Sequence, residues 1–271
     1  MRLHFSRGVL TITVIVLVLA VAVTVGLYNL LKKAEPFTVA TEGCVVETPS
    51  GTLTLEVEQA QISATIAAVA ARRKLPERAV VIAYATALQE SKLYNLNHGD
   101  RDSLGVFQQR PSQGWGKPKQ LTDPVYATNK FFAALVKVKG YLKMPLADAA
   151  QAVQRSAGGY AYAPHEPDAE ILAAAFTGRV PKALHCTYLP GKASKPPVQA
   201  EAARKQLSRA LGSTAITTQK RGWLVAAWSV AHAKKYGLRR VGYGGAQWSA
   251  DPVSDGWKAG GKGTATQVDL S

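Results

Sequence analysis

Apolar positions fall into three kinds of pattern along the chain. The first is an almost unbroken run from Gly8 to Leu31, GVLTITVIVLVLAVAVTVGLYNLL. As a helix rising 1.5 Å per residue it reaches roughly 36 Å, enough for a bilayer with some tilt. A cleaved signal peptide has a shorter apolar region and a small-residue cleavage site. This run ends in Tyr28, Leu30, Lys32 and Lys33, so one transmembrane signal anchor is expected over 8–31, followed by a polar stalk over 32–43. The second pattern is alternation. Residues 45–58, VVETPSGTLTLEVE, alternate around a Pro-Ser-Gly turn, which predicts a hairpin. The third is a helical period. Ile62, Ile66 and Val69 recur at helical spacing from Gln59 to about Lys74. Pro76 then stands where a new helix starts, with Glu77 in its first turn. That helix, PERAVVIAYATALQESKL, is apolar on most of its surface, which predicts a central, buried position.

Residues 94–123 read as loop, dense in Asn, Gly, Asp, Pro and Ser, with an apolar island at LGVFQ. Helical pattern returns at 124–139, 145–157 and 165–177, ending at Gly178. Residues 187–200 contain a Pro/Lys/Ser stretch that reads as a linker. Helical patterns follow at 201–211 and, more clearly, at 221–236. LRRVGYGGAQWSA and TATQVDL read as strands. The expected fold class is therefore a mainly α domain over 44–186, then a small basic α/β domain over 201–271, preceded by one transmembrane helix.

The formal net charge is +15, and the C-terminal third, 187–271, carries +9 of it. Such a surface favours an anionic partner: nucleic acid, acidic wall polymer or anionic lipid. The two cysteines, Cys44 and Cys186, bracket the whole middle segment. They are either a disulfide closing a domain, which persists in an oxidising compartment, or two buried thiols. A disulfide places the folded part outside the cytoplasm, with about seven N-terminal residues inside, and the expected membrane anchor argues against nucleic acid as partner. The cysteine spacing fits no zinc motif, and neither a metal nor another cofactor is expected.

Candidate chemistry begins at Glu90. Ala87, Thr86 and Ala83 lie three, four and seven residues before it and share its helix face. A carboxyl at the end of an apolar helix, just before a loop, is half in the core and half at the mouth of a cleft. Desolvation there favours the protonated form, as a general acid requires. The alternative is a helix-capping Glu or one paired with Arg101, although the macrodipole disfavours Glu at a helix C-terminus.

The following loop carries Asn95, Gly99-Asp100-Arg101, Asp102 and Gly105-Val106-Phe107-Gln108, then Gln109 and Arg110. Glu90-Ser91, then Gly99-Asp100-Arg101, then Gly105-Val106-Phe107-Gln108 resembles the catalytic segment of goose-type lysozymes and related lytic transglycosylases. There a Glu-Ser closes the buried helix and a loop leads into a G-L-M-Q strand lining the glycan cleft. The resemblance covers about twenty residues closely, and the helical pattern over 59–180 is consistent with the same lysozyme-like fold. It implies Glu90 as general acid, with Ser91, Gln108 and Gln109 lining the substrate cleft. The further Asp that can follow the G-L-M-Q element is replaced by Gln109 and Arg110, which leaves Asp100, and after it Asp102, as second carboxylate. The family's A-Y-N-A-G-like helix end corresponds loosely to Val153-Gln154-Arg155-Ser156-Ala157-Gly158. Its Tyr-Asn pair is missing, so Gln154 with Tyr160 or Tyr162 is the substitute. Trp115, in a Gly-rich loop, either stacks on a sugar or covers the core edge. Phe107 is expected in the core.

The C-terminal segment resembles a small module that follows lysozyme-like domains in actinobacterial wall proteins. Its charge suits docking to an anionic wall polymer or is a solvated basic face, and His232 is expected to be solvated or capping. The expected function is cleavage of peptidoglycan glycan strands, by hydrolysis or lytic transglycosylation, in a protein held at the membrane by its N-terminal helix. The alternative is a non-catalytic peptidoglycan-binding or scaffold protein that keeps the cleft.

Overall fold

The helical periods at 59–74 and 76–93 do form the two helices around which the chain is built. A computed structural model describes residues 7–33, 41–155, 159–189, 197–251 and 256–271. The chain forms two units, Met1–Ala40 and Thr41–Ser271.

In the first unit, Arg7–Lys33 is a helix, α1, whose described side chains are exposed. Among the described residues no helix is long and apolar enough to cross a membrane. The transmembrane helix expected over 8–31 is therefore corrected. The apolar pattern gives the helix, but helical period and apolar composition do not by themselves make a membrane span. The N-terminal residues expected inside the cell, 1–6, and most of the stalk, 34–40, lie outside the described residues.

The second unit is mainly helical, with two small antiparallel sheets. Its first elements are β1 (Gly43–Thr48), β2 (Gly51–Leu55), α2 (Val57–Arg72) and α3 (Glu77–Ser91). Then come α4 (Pro118–Leu121), α5 (Pro124–Leu135), α6 (Leu146–Gln154), α7 (Glu166–Phe176) and β3 (Leu184–Thr187). The C-terminal elements are α8 (Ala200–Leu211), α9 (Gln219–Ala231), α10 (Ala233–Tyr236), β4 (Arg240–Tyr243), β5 (Ala246–Ser249), β6 (Trp257–Ala259) and β7 (Asp269–Leu270). The expected hairpin is β1–β2. Sequence pattern did not reveal β3, which returns antiparallel to the other edge of β1 and gives the order β2-β1-β3. Cys44 and Cys186 stand directly opposite in that register and form the disulfide, with Cα atoms 3.9 Å apart.

Helix α3 is buried from Ala79 to Ala87 on every side, and α2 from Ile62 to Ala70. Around them pack α5, α6, α7 and α9. Two expected helices end early. The 124–139 pattern stops at Leu135 and breaks into turns. The 145–157 pattern stops at Gln154, where Arg155 takes a left-handed conformation, and residues 156–158 lie outside those described.

The segments 44–186 and 201–271, expected as two domains, lie within one unit; residues 190–196 of the stretch between them are outside those described. The C-terminal segment is helical, then a four-stranded sheet of order β6-β5-β4-β7. Its helix α9 packs on α2 and α7. Gly178, which ends α7 at φ +77, permits the close approach, since a Cβ there would overlap the Lys220 carbonyl at the start of α9. The Tyr188 hydroxyl donates to the Val230 carbonyl at 2.6 Å, and the Trp257 indole donates to the Leu184 carbonyl at 2.9 Å. Arg209 pairs with Asp123, and Arg72 donates to the Arg209 carbonyl. His232 caps α9, as one expectation had it, but it is not solvated. It is buried and stacked on Trp228, with ring centroids 3.9 Å apart and Nδ1 2.8 Å from the Trp228 carbonyl oxygen. Burial pushes its pKa from 6.5 down to about 3, opposed by the hydrogen bond to Trp228.

Two predictions follow from this packing. Replacing both cysteines, Cys44→Ser with Cys186→Ser, releases a long loop in the unfolded chain and lowers stability by about 2–5 kcal/mol, read as a lower urea midpoint with a steeper slope, because the uncrosslinked chain exposes more surface on unfolding. For His232 the folded pKa lies below the unfolded one. Its contribution is therefore intact above about pH 6.5 and is lost progressively as the pH falls toward about 3. His232→Phe keeps the stack and removes the titration, so unfolding midpoints measured across that window fall less steeply than in the wild type.

Candidate active site

Glu90 sits in the last turn of α3, half-buried. The face below it is closed, because Ala83, Thr86 and Ala87 are fully buried. The helix stops just beyond it. Lys92 and Leu93 both take positive φ, and their amides bond the Leu88 and Ala87 carbonyls. This turns the chain sharply and leaves the Glu90 carboxyl at the helix end. The 3-10 helical turn Gly159–His165 packs against this end and supplies a partner for each of two consecutive residues. The Tyr162 hydroxyl donates to Glu90 Oε1 at 2.7 Å, and His165 Nε2 lies 3.0 Å from Gln89 Oε1. Tyr162 is itself only 1% exposed, so the hydroxyl that meets the carboxyl is fixed by packing. His165 is held below its ordinary pKa by burial and by nearby Lys92, with Asp168 opposing.

Facing α3 is the loop expected to hold a strand over Gly105–Gln108. It is a tight turn instead. Leu104 and Gln109 form a two-residue antiparallel bridge, exchanging N–H···O bonds of 3.0 Å in each direction. Gly105, at φ +74, is needed there, because a Cβ would overlap the Leu121 carbonyl. Three side chains fix the turn to its surroundings. Ser91 Oγ donates to the Val106 carbonyl at 2.8 Å, and Gln154 Nε2 to the Phe107 carbonyl at 2.7 Å. Phe107, fully buried as expected, stacks on Phe131 with centroids 4.4 Å apart. Val106 and Phe107 are thus held between the ends of α3 and α6.

The expected site residues divide accordingly. Glu90 and Tyr162 come together, though Tyr162 serves as the partner of the carboxyl and is too buried to line an open cleft. Ser91 and Gln154 support the turn through backbone carbonyls. Gln108, at φ +47, folds its amide back onto the Gly105 and His98 carbonyls at 3.2 and 3.3 Å. Gln109 is buried, donates to the Ala127 carbonyl, and keeps an Oε1 with no partner among the described residues. Trp115 is half-buried and packed on the core edge, where its carbonyl accepts from the Tyr126 hydroxyl. Tyr160 is 89% exposed.

The loop carboxylates are both engaged. Asp100, 79% exposed, pairs with Arg110 at 2.7 Å, and Arg110 also donates to Ser103 Oγ. Asp102 accepts from the Ser112 amide at 2.8 Å and its hydroxyl at 2.9 Å, and the amide bond above all lowers its pKa. Neither reaches Glu90 through a hydrogen bond or ion pair among the described residues. Sequence reading missed Arg110 as the partner of Asp100, since the adjacent Arg101 stood as the obvious cation. It also missed the bond between His165 and Gln89, residues 76 apart in the chain, for which no local signal exists. Among the described residues no three His, Cys, Asp or Glu side chains converge as a metal centre requires. Of the loose helix-end counterpart, Val153 is buried, while Ser156, Ala157 and Gly158 lie outside the described residues. The chain matches no protein-family model, and no curated protein is similar to it.

Proposed function

We propose that the protein cleaves the glycan strand of peptidoglycan, with Glu90 as general acid. The observation that carries this reading is the Glu90 carboxyl at the open end of an otherwise enclosed helix, oriented through Oε1 by a buried Tyr162 hydroxyl. With Oε1 accepting from Tyr162, Oε2 is left to carry the proton. Glu90 gives it to the glycosidic oxygen, the bond from that oxygen to the sugar's C1 breaks, and positive charge builds on C1 and the ring oxygen. A nucleophile hydroxyl then closes on C1 and returns a proton to Glu90. The nucleophile is water in hydrolysis, or the sugar's own C6 hydroxyl in lytic transglycosylation, which yields an anhydro ring. Because Asp100 and Asp102 are both engaged within the loop, the second route, which needs one carboxylate, is the one this site favours. The Cys44–Cys186 disulfide supports an oxidising, extracytoplasmic location, where peptidoglycan is found. The same engagement of the loop carboxylates favours, as a second reading, a peptidoglycan-binding protein without catalysis.

Purified wall glycan decides between them. Glu90→Gln keeps the shape and removes the proton, and should lower cleavage by about 10²–10⁴-fold with glycan retention in a pull-down unchanged. Tyr162→Phe should lower kcat roughly tenfold, the worth of one charge-assisted hydrogen bond, with KM unchanged. Asp100→Asn breaks the pair with Arg110 and should leave at least about half the activity if the products carry anhydro ends by mass spectrometry. Full activity of Glu90→Gln removes the mechanism, and a wild type inactive on every wall preparation that still binds glycan makes the binding protein the correct reading.

A further inference from the structure

A cleft lies at the far end of α3 from Glu90. Glu77 opens that helix, and 1.5 Å per residue puts it about 20 Å from Glu90. Here a cleft of about 220 Å³ opens where α2 and the start of α3 meet the end of α7 and the start of α9. Its floor is Ala67, Ala70 and Ala71 of α2, with Leu75, Val80 and Leu224. Methyl groups dominate it, so it fits small side chains. Its rim carries hydroxyls and cations: Thr177, Thr217, Thr218, Lys220 and Arg221.

Charge sorts the ligands. Glu77, the one carboxylate lining the cleft among the described residues, already accepts from Arg179 at 2.7 Å and from Lys220 at 3.2 Å. Arg221 uses Nε and Nη2 on the Ala215 and Ser213 carbonyls. Those bonds fix one edge of the guanidinium and leave Nη1 without a hydrogen-bond partner among the described residues. An entering carboxylate meets Lys220 and the Nη1 donors of a guanidinium already held in place, a charge-assisted contact. Among the described residues no aromatic or amide side chain lines the cleft, which gives a sugar ring neither a stacking face nor paired donors there. Its volume is below the roughly 300 Å³ at which drug-sized pockets begin, which suits a ligand of one or two small residues. A bare phosphate leaves the alanine floor uncovered.

We infer that this cleft binds the carboxylate end of a short peptide with methyl side chains, the D-alanyl terminus of a wall-peptide stem. The identification of the stem rests on the peptidoglycan reading above; the carboxylate-and-methyl chemistry does not. The carboxylate seats on Arg221 and Lys220, and the methyl groups on Ala67, Ala70 and Ala71. Since the lining comes from α2, α3 and α7 on one side and α9 on the other, the ligand clamps the C-terminal segment to the helical core.

The test is amide chemical-shift titration of the labelled full chain with N-acetyl-D-alanyl-D-alanine. Saturable shifts are expected at Ala71, Thr218 and Leu224. The analogue ending in a carboxamide should bind at least about tenfold more weakly, because the charge-assisted pair is lost, and the L,L isomer should bind more weakly too. Arg221→Gln should weaken binding by a similar factor but also frees the Ser213 and Ala215 carbonyls. The deciding variant is therefore Ala71→Leu, which fills the floor, keeps every charge and should abolish the shifts. Absence of saturable shifts, equal binding of the carboxamide, or wild-type binding by Ala71→Leu overturns the site. Equal binding of the L,L isomer overturns its assignment to a wall stem. The same titration in Glu90→Gln should be unchanged, so a wild type inactive on wall glycan with intact peptide binding defeats the cleavage reading alone, and a wild type that cleaves glycan but gives no peptide shifts defeats this one alone.

Discussion

An apolar helix with no polar side has only its ends to offer to water, and α3 imposes that constraint on everything around it. From Ala79 to Ala87 it needs cover in every direction, and α2, α5, α6, α7 and the Gly159–His165 turn supply it. A charged group on such a helix has to sit in its first or last turn. Glu77 and Glu90 do so, and the two sites of chemical interest lie at those two ends. The first end is neutralised by Arg179 and Lys220. At the second, a tyrosine hydroxyl takes the place of a counter-ion. A cation would bring a full charge to the site, whereas the Tyr162 hydroxyl brings none and fixes one carboxyl oxygen in place.

What was legible in the sequence was what local pattern encodes. The helices α2 and α3, the β1–β2 hairpin and the place of Glu90 follow from spacing over one or two turns. The strand β3 is four residues long, too short to show a period, and becomes a strand only because β1 offers an edge. The expected strand at Gly105–Gln108 is a turn, because Gly105 and Gln108 both take positive φ, which ends extended pairing after one bridge. The early ends of α5 and α6 show the same limit, since apolar spacing continues where the backbone does not. In α1 the pattern gave the helix and overstated what it spans.

The site was legible in its first member and less so in its partners. Glu90 is announced by its own helix. Tyr162 is 72 residues away and was singled out only as a substitute in a cleft. The ring of supports around Val106 and Phe107 joins side chains 15 and 47 residues distant to backbone carbonyls, and a carbonyl leaves no trace in residue identity. Ser91, Gln108, Gln109 and Gln154 were picked out as substrate contacts. Polar side chains beside a cleft and polar side chains that hold its walls look alike until their hydrogen bonds are known.

The Cys44–Cys186 bridge has a topological consequence. It joins the central strand β1 to the edge strand β3 and so makes a covalent ring of the chain between them, including α3, the 95–113 loop and the Gly159–His165 turn. A ring cut once is still one piece. A protease that opens the exposed tip of the loop near Gln113 or Gly114 leaves Glu90 and Tyr162 on opposite sides of the break, yet tied through the sulfur bridge and the packed sheet. Such a nick shows on a gel only after reduction.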